Sequence, residues 1–362
     1  MKAIKVLLAG GGTGGHIYPA LAIAKRIEDQ FPHSRIEFVG SRRGLEKNII
    51  PKQGYKLHML AVGQLHSSVG RVKQLKTLLL MPVVFAQALW IILKFRPSFV
   101  LGVGGYASGP LVLVASLLRI KTAIWEANVE PGITNKILAK FVKHCFVVFE
   151  ASQKFFPPHK TKCLGYPVRK EFEELYQSKK NSVSSPATAS RPLKVLVFGG
   201  SQGAAIFNKV IPEVSSQFPE IEFTLQTGTK NYADFEGKNW SKNLRILPFL
   251  DPIVDYYLQA DLILSRSGAG AIAELSALGA HCLFVPFPRA SDDHQRKNAE
   301  TLWEKKAADM ILESDFNGER LSDFLRQYLN RSVSQNAEMQ KNMLDFFKSG
   351  ATQAIVDTMV KA

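Results

Sequence analysis

Short apolar segments rich in β-branched residues alternate with longer amphipathic segments through the first 150 residues. The short segments have the length of buried parallel strands, and the segments between them are long enough for helices. The predicted strands are Ile4–Ala9, Ile36–Gly40, Leu57–Val62, Phe99–Val103, Thr122–Glu126 and Cys145–Val148. This alternation predicts an α/β fold with a parallel sheet.

The same alternation restarts after a polar stretch, Gln177–Arg191, which we predict to be an exposed loop near a domain junction. The predicted strands of the second half are Leu193–Phe198, Ile221–Gln226, Leu244–Leu247, Leu262–Ser265 and Cys282–Val285. A chain of 362 residues is long enough for two domains of roughly 150 residues each. We therefore predict two α/β domains.

One segment, Leu78–Leu93, is apolar almost throughout. It is shorter than the roughly 20 residues that a spanning helix needs, and it contains Pro82 and Gln87, so we predict that it does not cross a membrane. A buried core helix and a helix at the membrane surface both fit the composition. The surface position is favoured by the basic residues on its flanks, which are Arg71, Lys73, Lys76, Lys94 and Arg96.

The chain has 46 basic and 31 acidic residues, a formal net charge of +15. This balance favours a polyanionic partner: nucleic acid, an anionic lipid surface or a phosphorylated substrate. No helix-turn-helix, zinc-finger or RNP pattern is present, so we predict no nucleic acid partner. The three cysteines show no C-x-x-C pairing and the N-terminus enters a strand directly, which predicts a reducing cytosol and no export signal.

The first predicted strand leads into a glycine-rich loop, Gly10–His16, with a helix predicted to start near Ile17–Pro19. Such a loop lets a phosphate or a developing anion approach the backbone and the helix N-terminus. It also contains a G-x-G-x-x-G pattern, but the acidic residue expected at the end of the second strand is missing there. Arg42 or Arg43 could bind a 2′-phosphate, so the missing acidic residue argues less strongly against NADP than against NAD as a ligand.

Further glycine-rich loops follow three other predicted strands: Gly102–Pro110, Gly199–Gly203 with the hydroxyl of Ser201, and Ser265–Glu274. Any one such loop could be only a turn. Several at the carboxyl ends of parallel strands indicate a shared ligand crevice. Glu274 could accept hydrogen bonds from ribose hydroxyls, or it could be a solvated helix residue.

In their order along the chain, these motifs resemble the MurG family of bacterial glycosyltransferases. The matching motifs are GGTGGH at 11–16, GGYASGP at 104–110, YPVR at 166–169, GGSQGA at 199–204, RSGAG at 266–270 with Glu274, and DHQ at 293–295. The resemblance implies a GT-B fold, in which two Rossmann-like domains face a central cleft. It implies an acceptor- and membrane-binding domain of residues 1–165 plus 347–362, whose last helix is Phe347–Val360, and a donor-binding domain of residues 166–346.

The resemblance also implies the site residues. The donor-binding residues that it implies are Thr13, Gly14, Gly15, Asn128, Arg169, Ser201, Leu250, Ala269, Gly270, Ala271, Glu274 and Gln295. The residues that it implies in contact with the acceptor diphosphate are Gly104, Gly105 and Tyr106. The chain departs from the family pattern at Trp125 and Ala127, where His and Gln are common, and at Ala271, where some members have a hydroxyl.

His16 is our candidate for the base that deprotonates the acceptor hydroxyl, because an imidazole can take a proton near neutral pH. The alternative is a histidine that only hydrogen-bonds the start of the helix. The leaving diphosphate would be stabilised by the helix starts after Ser201 and Gly268 and by Arg169. We predict neither a metal nor a cofactor, and the sequence has no D-x-D pair.

The family resemblance implies UDP-N-acetylglucosamine (UDP-GlcNAc) as donor and lipid I, the undecaprenyl-diphosphate muramyl pentapeptide, as acceptor. It implies a peripheral protein on the anionic cytoplasmic face of the bacterial plasma membrane. We expect the interfacial surface to include Leu75, Leu79, Met81, Val84 and Trp90. Alternative functions are a UDP-sugar:diacylglycerol glycosyltransferase, a nucleotide-sugar epimerase and an NADP oxidoreductase.

Overall fold

The computed structural model describes residues 4–12, 14–42, 44–62, 71–181 and 191–361, with the side chains of 71–78, 181 and 361 outside that description. The chain divides into two compact units. The first comprises Met1–Lys170 and Lys348–Ala362, and the second comprises Glu171–Phe347.

The first unit is built on a parallel sheet with the strand order β3-β2-β1-β4-β5-β6-β7. Its strands are β1 Lys5–Gly10, β2 Arg35–Ser41, β3 Lys56–Leu60, β4 Phe99–Gly104, β5 Lys121–Glu126, β6 His144–Val147 and β7 Thr161–Cys163. Its helices are α1 Gly14–Gln30, α2 Glu46–Ile49, α3 Arg71–Phe95, α4 Ser108–Leu117, α5 Ile133–Leu138 and α13 Ala351–Lys361.

The second unit repeats this arrangement with the strand order β10-β9-β8-β11-β12-β13, again parallel. Its strands are β8 Leu193–Phe198, β9 Ile221–Gln226, β10 Leu244–Leu247, β11 Leu262–Ser265, β12 Cys282–Phe284 and β13 Asp309–Met310. Its helices are α6 Lys170–Asn181, which starts at the boundary, α7 Ala205–Ser215, α8 Ile253–Gln259, α9 Ala269–Leu278, α10 His294–Glu304, α11 Gly318–Leu329 and α12 Val333–Phe346.

The apolar runs of the sequence form the centre of each sheet. Leu7 and Val100 of the first unit are 0% exposed, as are Val197 and Leu264 of the second. Helices cover the faces of both sheets, which is why these strands are apolar on both sides rather than alternating. The predicted strands lie within two residues of the observed ones, whereas the short edge strands β7 and β13 were not predicted.

Two predicted helix starts are wrong. Helix α1 begins at Gly14 rather than near Ile17, because residues of a first turn need no intrahelical acceptor and therefore tolerate glycine. The last helix begins at Ala351 rather than at Phe347. Gly350, at φ +75°, separates it from α12.

The polar stretch predicted as a loop is helical at its start. Helix α6 continues to Asn181, with Glu171 and Glu173 in its first turn and Lys179 and Lys180 in its last, an arrangement that favours a helix dipole. Its apolar residues Phe172 and Tyr176 are buried. The spacing of these two residues by one helical turn was the signal for a helix in the sequence. Residues 182–190, the rest of the predicted loop before Arg191, lie outside the described part of the chain.

The first compact unit extends to Lys170, past the boundary that we predict before Tyr166. The Tyr166 hydroxyl donates to the carbonyl of Gly15 at 3.1 Å, and its ring meets Trp125 edge-on at 5.1 Å between centroids. These contacts place the segment in the first unit. Helix α13 packs against α1, with a hydrogen bond from Gln353 Nε2 to Gln30 Oε1 at 3.2 Å.

The loop after β8 offers a matched test of backbone strain. Gly203 and Gly200 have φ of +73° and +88°, but a Cβ at Gly203 would lie 2.0 Å from the Thr227 carbonyl oxygen, whereas one at Gly200 would meet nothing within 4 Å. We expect Gly200→Ala to lower the free energy of unfolding by about 1 kcal/mol from left-handed strain alone. Gly203→Ala should lower the free energy of unfolding by at least about 2 kcal/mol more than Gly200→Ala does, because the backbone at Thr227 must move to make room for the new Cβ.

Urea denaturation of both variants measures this difference. Equal losses in the two variants would show that contact with Thr227 does not constrain the loop.

Candidate active site

The glycine loop of the first unit turns the chain from β1 into α1 and places His16 in the first helical turn. Gly12 has φ +91°, a conformation that favours glycine. The His16 Nδ1 atom lies 3.1 Å from the carbonyl oxygen of Gly11. His16 therefore hydrogen-bonds the backbone of the glycine loop that precedes α1. This bond needs a proton on Nδ1, so in the neutral ring the lone pair lies on Nε2, as a general base requires.

The loop after β4 closes against this helix start. A Cβ at Gly104 would lie 2.7 Å from Nε2 of His16, and one at Gly105 would lie 2.7 Å from the Gly11 carbonyl oxygen. The imidazole thus rests directly on the Gly104 backbone. Tyr106, the third predicted residue of this loop, is 39% exposed. The structure brings Gly104 and Gly105, which are predicted to contact the acceptor, together with the candidate base within one unit.

Asn128 is held by a buried carboxylate at the end of β5. Glu126 is 5% exposed, and its Oε1 accepts from the Asn128 backbone N–H at 3.0 Å and from Asn128 Nδ2 at 3.4 Å. Its Oε2 accepts from Gly132 N–H at 3.2 Å and Asn135 Nδ2 at 2.8 Å. Burial raises the pKa of Glu126, and these hydrogen bonds oppose the rise. Glu126 therefore orders the loop that carries Asn128.

The departures from the family pattern in this loop are buried. Trp125 is 0% and Ala127 5% exposed. The Trp125 ring packs on Tyr166, which in turn bonds the start of α1. The change from histidine to Trp125 is therefore a change in the packing beneath the loop.

The second unit presents two helix starts at neighbouring strand ends. Helix α7 follows the Gly199–Gly203 loop after β8, and α9 follows Gly268 after β11. Neither Ala204 nor Gly268, the residues at the two N-caps, caps its helix with a side chain. Such helix starts favour anions. Because β8 and β11 are adjacent, the exposed Ser201 and the start of α9, Ala269–Glu274, follow neighbouring strands of the sheet.

Gln295 is fixed beside the start of α9. Its Oε1 accepts from Phe287 N–H at 3.1 Å, and its carbonyl oxygen accepts from Ser267 Oγ at 2.8 Å. Asn298 Nδ2 donates to the Ser267 carbonyl at 3.2 Å. The loop between β11 and α9 is thereby locked to α10. Sequence reasoning did not identify Ser267 or Asn298, although both are polar and fully buried.

The remaining predicted residues are more dispersed. Glu274 is half-buried on α9, Leu250 is 4% exposed beyond β10, and Arg169 is half-buried in the first unit next to α6. Thr13 lies outside the described residues. Within the described ranges, no three His, Cys, Asp or Glu side chains converge as metal ligands would. Metal independence and the roles of these residues stay predictions.

Sequence reasoning missed Glu46. Its carboxylate is 1% exposed and accepts from Ser41 N–H, at the end of β2, and from Gly12 N–H in the first glycine loop. An acidic residue thus does occupy the end of the second strand, but it reaches there from α2 and binds the glycine loop. The signal in the sequence was the pair Gly40 and Gly44 in the link from β2 to α2. Both positions need glycine, since a Cβ at either would collide with Glu46.

Comparison with known proteins identifies the family. The glycosyltransferase family 28 N-terminal domain matches residues 6–147, and its C-terminal domain matches residues 194–354. A Citrifermentans bemidjiense UDP-N-acetylglucosamine–N-acetylmuramyl-(pentapeptide) pyrophosphoryl-undecaprenol N-acetylglucosamine transferase is 38% identical, over 99% of both chains. The crystal structure of Acinetobacter baumannii MurG, 26% identical, covers 99% of this chain and all of that one with a TM-score of 0.78. The chain belongs to the MurG family.

Other comparisons agree with this assignment. A MurG-family transferase of the same name from Bdellovibrio bacteriovorus is 38% identical over 94% of both chains. The Neisseria meningitidis UDP-GlcNAc 2-epimerase has a TM-score of 0.68 at 14% identity, a likeness of fold alone. The predicted MurG resemblance and GT-B fold class are confirmed.

Glu126→Gln tests how the Asn128 loop is held. An amide NH₂ in place of one carboxylate oxygen would face two donors, so we expect a loss of roughly 2 kcal/mol or more in the free energy of unfolding. Glu130→Gln is the control in the same loop, because Glu130 pairs with the partly exposed Lys136. That variant should lose no more than about 1 kcal/mol.

Chemical denaturation compares the two variants. If Glu126→Gln is no less stable than Glu130→Gln, the four donors do not depend on the charge of Glu126.

Proposed function

We propose that the chain transfers N-acetylglucosamine from UDP-GlcNAc to the C4 hydroxyl of the muramyl sugar of lipid I and so forms lipid II for peptidoglycan synthesis. It is a UDP-GlcNAc-dependent hexosyltransferase. The observation that carries the proposal is the 38% identity, over 99% of the chain, to transferases whose names state this donor and this acceptor.

In the proposed step His16 Nε2 takes the proton of the acceptor hydroxyl. The hydroxyl oxygen then bonds the anomeric carbon of the donor sugar while the bond from that carbon to the UDP oxygen breaks, with inversion. The hydrogen bond from Nδ1 to Gly11 supports this role because it orients the ring and defines its tautomer.

The departing UDP carries new negative charge, which the starts of α7 and α9 would stabilise. Their uncapped first-turn N–H groups and the positive dipole ends support diphosphate binding at Ser201 and Ala269–Gly270. Arg169 would add a cation. Asn128, held by Glu126, together with Gln295 and Glu274, would complete the donor contacts.

The alternative functions have weaker support. Relatives that align along nearly the whole chain carry the lipid-linked transferase name rather than that of a diacylglycerol glycosyltransferase or an oxidoreductase. Epimerase structures share 14% identity or less, which supports a common fold and no common reaction.

Transfer of radiolabelled N-acetylglucosamine from UDP-GlcNAc to a lipid I analogue tests the function. We expect product that survives EDTA and a fall of about 10²- to 10⁴-fold in kcat for His16→Ala, the usual contribution of a general base. The exposed His33 serves as the control: His33→Ala should keep full activity.

Full activity in His16→Ala would exclude it as the base. Transfer to diacylglycerol but not to the lipid I analogue would overturn the acceptor.

We also propose that the protein binds the anionic cytoplasmic face of the plasma membrane through an apolar surface of α3. The α3 surface consists of side chains that are 38–70% exposed: Leu79, Leu80, Val83, Leu89, Trp90 and Leu93. Lys94 lies 4.6 Å from the Trp90 ring centre, so a cation accompanies the apolar residues. Among the described residues, no helix is long and apolar enough to cross a bilayer.

The expected composition of this surface needs one correction. Val84 is 1% exposed, because it lies on the opposite face of α3 with Ala88 and Ile91 and packs into the core. Met81 is half-buried, and the Leu75 side chain lies outside the described part. Helix α3 packs on α4 and α4 on α5, and α5 adds the exposed apolar residues Ile133 and Ile137.

The double variant Leu79→Glu/Trp90→Glu tests attachment. Burying each apolar side chain in a bilayer interface contributes up to about 2 kcal/mol, so we expect binding to vesicles containing anionic lipid to weaken at least about 10-fold. A matched double variant in the second unit, Leu258→Glu/Trp303→Glu, has similarly exposed positions and should bind as before.

Sedimentation with vesicles provides the measurement, and unchanged circular dichroism shows that the fold is intact. Equal binding by both double variants would reject the α3 surface.

A further inference from the structure

One peptide group connects a buried carboxylate to the candidate base. The N–H of Gly12 donates to Glu46 Oε2 at 2.8 Å, and the carbonyl oxygen of Gly11 lies 3.1 Å from His16 Nδ1. These two atoms belong to the same peptide unit, the one that joins Gly11 to Gly12. Glu46 and the His16 imidazole therefore bind opposite ends of a single peptide dipole.

The carboxylate is held firmly in this position. Its Oε1 accepts from Ser41 N–H at 2.7 Å and from Ser41 Oγ at 2.9 Å. A Cβ at Gly11, Gly40 or Gly44 would lie 2.3, 2.5 or 1.8 Å from the nearest Glu46 side-chain atom. The three glycines thus provide the space that the buried carboxylate fills. Both oxygens accept hydrogen bonds from donors, which is the pattern of an ionised carboxylate.

We propose that Glu46 is a positioning residue that acts on His16 through the Gly11–Gly12 peptide. The inference rests on the proposed role of His16 as the base. A carboxylate that accepts from the peptide N–H polarises the group and makes its carbonyl oxygen a stronger acceptor. The Nδ1–H tautomer of His16 is thereby favoured, and so is the imidazolium that forms when Nε2 takes a proton.

This arrangement resembles the carboxylate–histidine pairs of hydrolases with one peptide unit inserted between the two groups. The inserted peptide keeps the full negative charge away from the ring and transmits its effect as a hydrogen bond. It also commits the Gly12 N–H to a carboxylate, so this N–H is not a donor to a phosphate.

Other titratable groups surround the start of α1. The Tyr18 ring lies beside Gly14, and the Tyr166 hydroxyl donates to the Gly15 carbonyl. Tyrosine hydroxyls are ordinarily neutral at the pH where a histidine titrates, so of these neighbours Glu46 is the one whose charge acts on His16 there.

A titration of His16 by NMR, with ¹⁵N-labelled histidine in the full chain, tests the proposal without an activity assay. Glu46→Gln keeps the size of the side chain and removes its charge. We expect the pKa of His16 to fall by roughly 0.5 unit, because the imidazolium loses the stabilising charge of Glu46. We also expect the population of the Nε2–H tautomer to increase. Glu37→Gln is the control, since Glu37 bonds His58 at 2.5 Å rather than the Gly11–Gly12 peptide and should leave the His16 titration unchanged.

Ser41→Ala separates an electrostatic role from simple anchoring. It removes one donor to Glu46 and keeps the charge, so the pKa of His16 should stay constant or rise. If Glu46 only anchors the loop, Ser41→Ala and Glu46→Gln should disturb His16 in the same direction. That result, or a His16 titration and tautomer identical in Glu46→Gln and the unmodified chain, would overturn the proposal.

The transferase assay adds a separate measurement. We expect Glu46→Gln to lower kcat about 10-fold with little change in the KM for UDP-GlcNAc, and to move the acid limb of the kcat profile to lower pH. If His16→Ala remains active while Glu46→Gln still shifts the His16 titration, the coupling stands and the role of His16 as the base fails.

Discussion

Every strand pairing in both sheets is parallel, so all the strands of a sheet end at the same edge. The loops that leave that edge must share a narrow space. Where β1 and β4 end, Gly10 pairs with Gly104 across a local irregularity in the register. Side chains at Gly104 or Gly105 would collide with His16 or with the Gly11 backbone. The glycine motifs of the first unit are therefore a requirement of loop contact before any ligand is considered.

Two buried glutamates hold the loops on either side of this contact. Glu46 at the end of β2 takes the Gly12 N–H, and Glu126 at the end of β5 takes the Asn128 N–H. In a low-dielectric interior these charge-assisted bonds are stronger than neutral ones. The backbone around His16 and Asn128 is thus ordered by the protein itself, as preorganised catalysis requires.

The sequence was sufficient for every strand except the short edge strands β7 and β13, and for the glycine loops, because a buried parallel strand has to be apolar and a tight strand-to-helix turn has to contain glycine. It was insufficient where tertiary contacts decide. Val84 was expected at the membrane surface, but an apolar helix does not show in its sequence which face the core will cover. Glu46 was missed because its partner, Gly12, lies 34 residues away. The end of α6, from Gln177 to Asn181, was taken for a loop because polar composition outweighed the spacing of Phe172 and Tyr176.

Helix α13 also has a consequence for biosynthesis. Its apolar residues Ala351, Ile355, Val356 and Met359 are buried in the first unit, yet the ribosome makes them after the whole of the second. The second unit can fold as soon as it emerges, whereas the first must wait with the surface that α13 covers still exposed to water. During translation, that waiting surface is where we expect a chaperone to bind and where premature termination would leave an aggregation-prone chain.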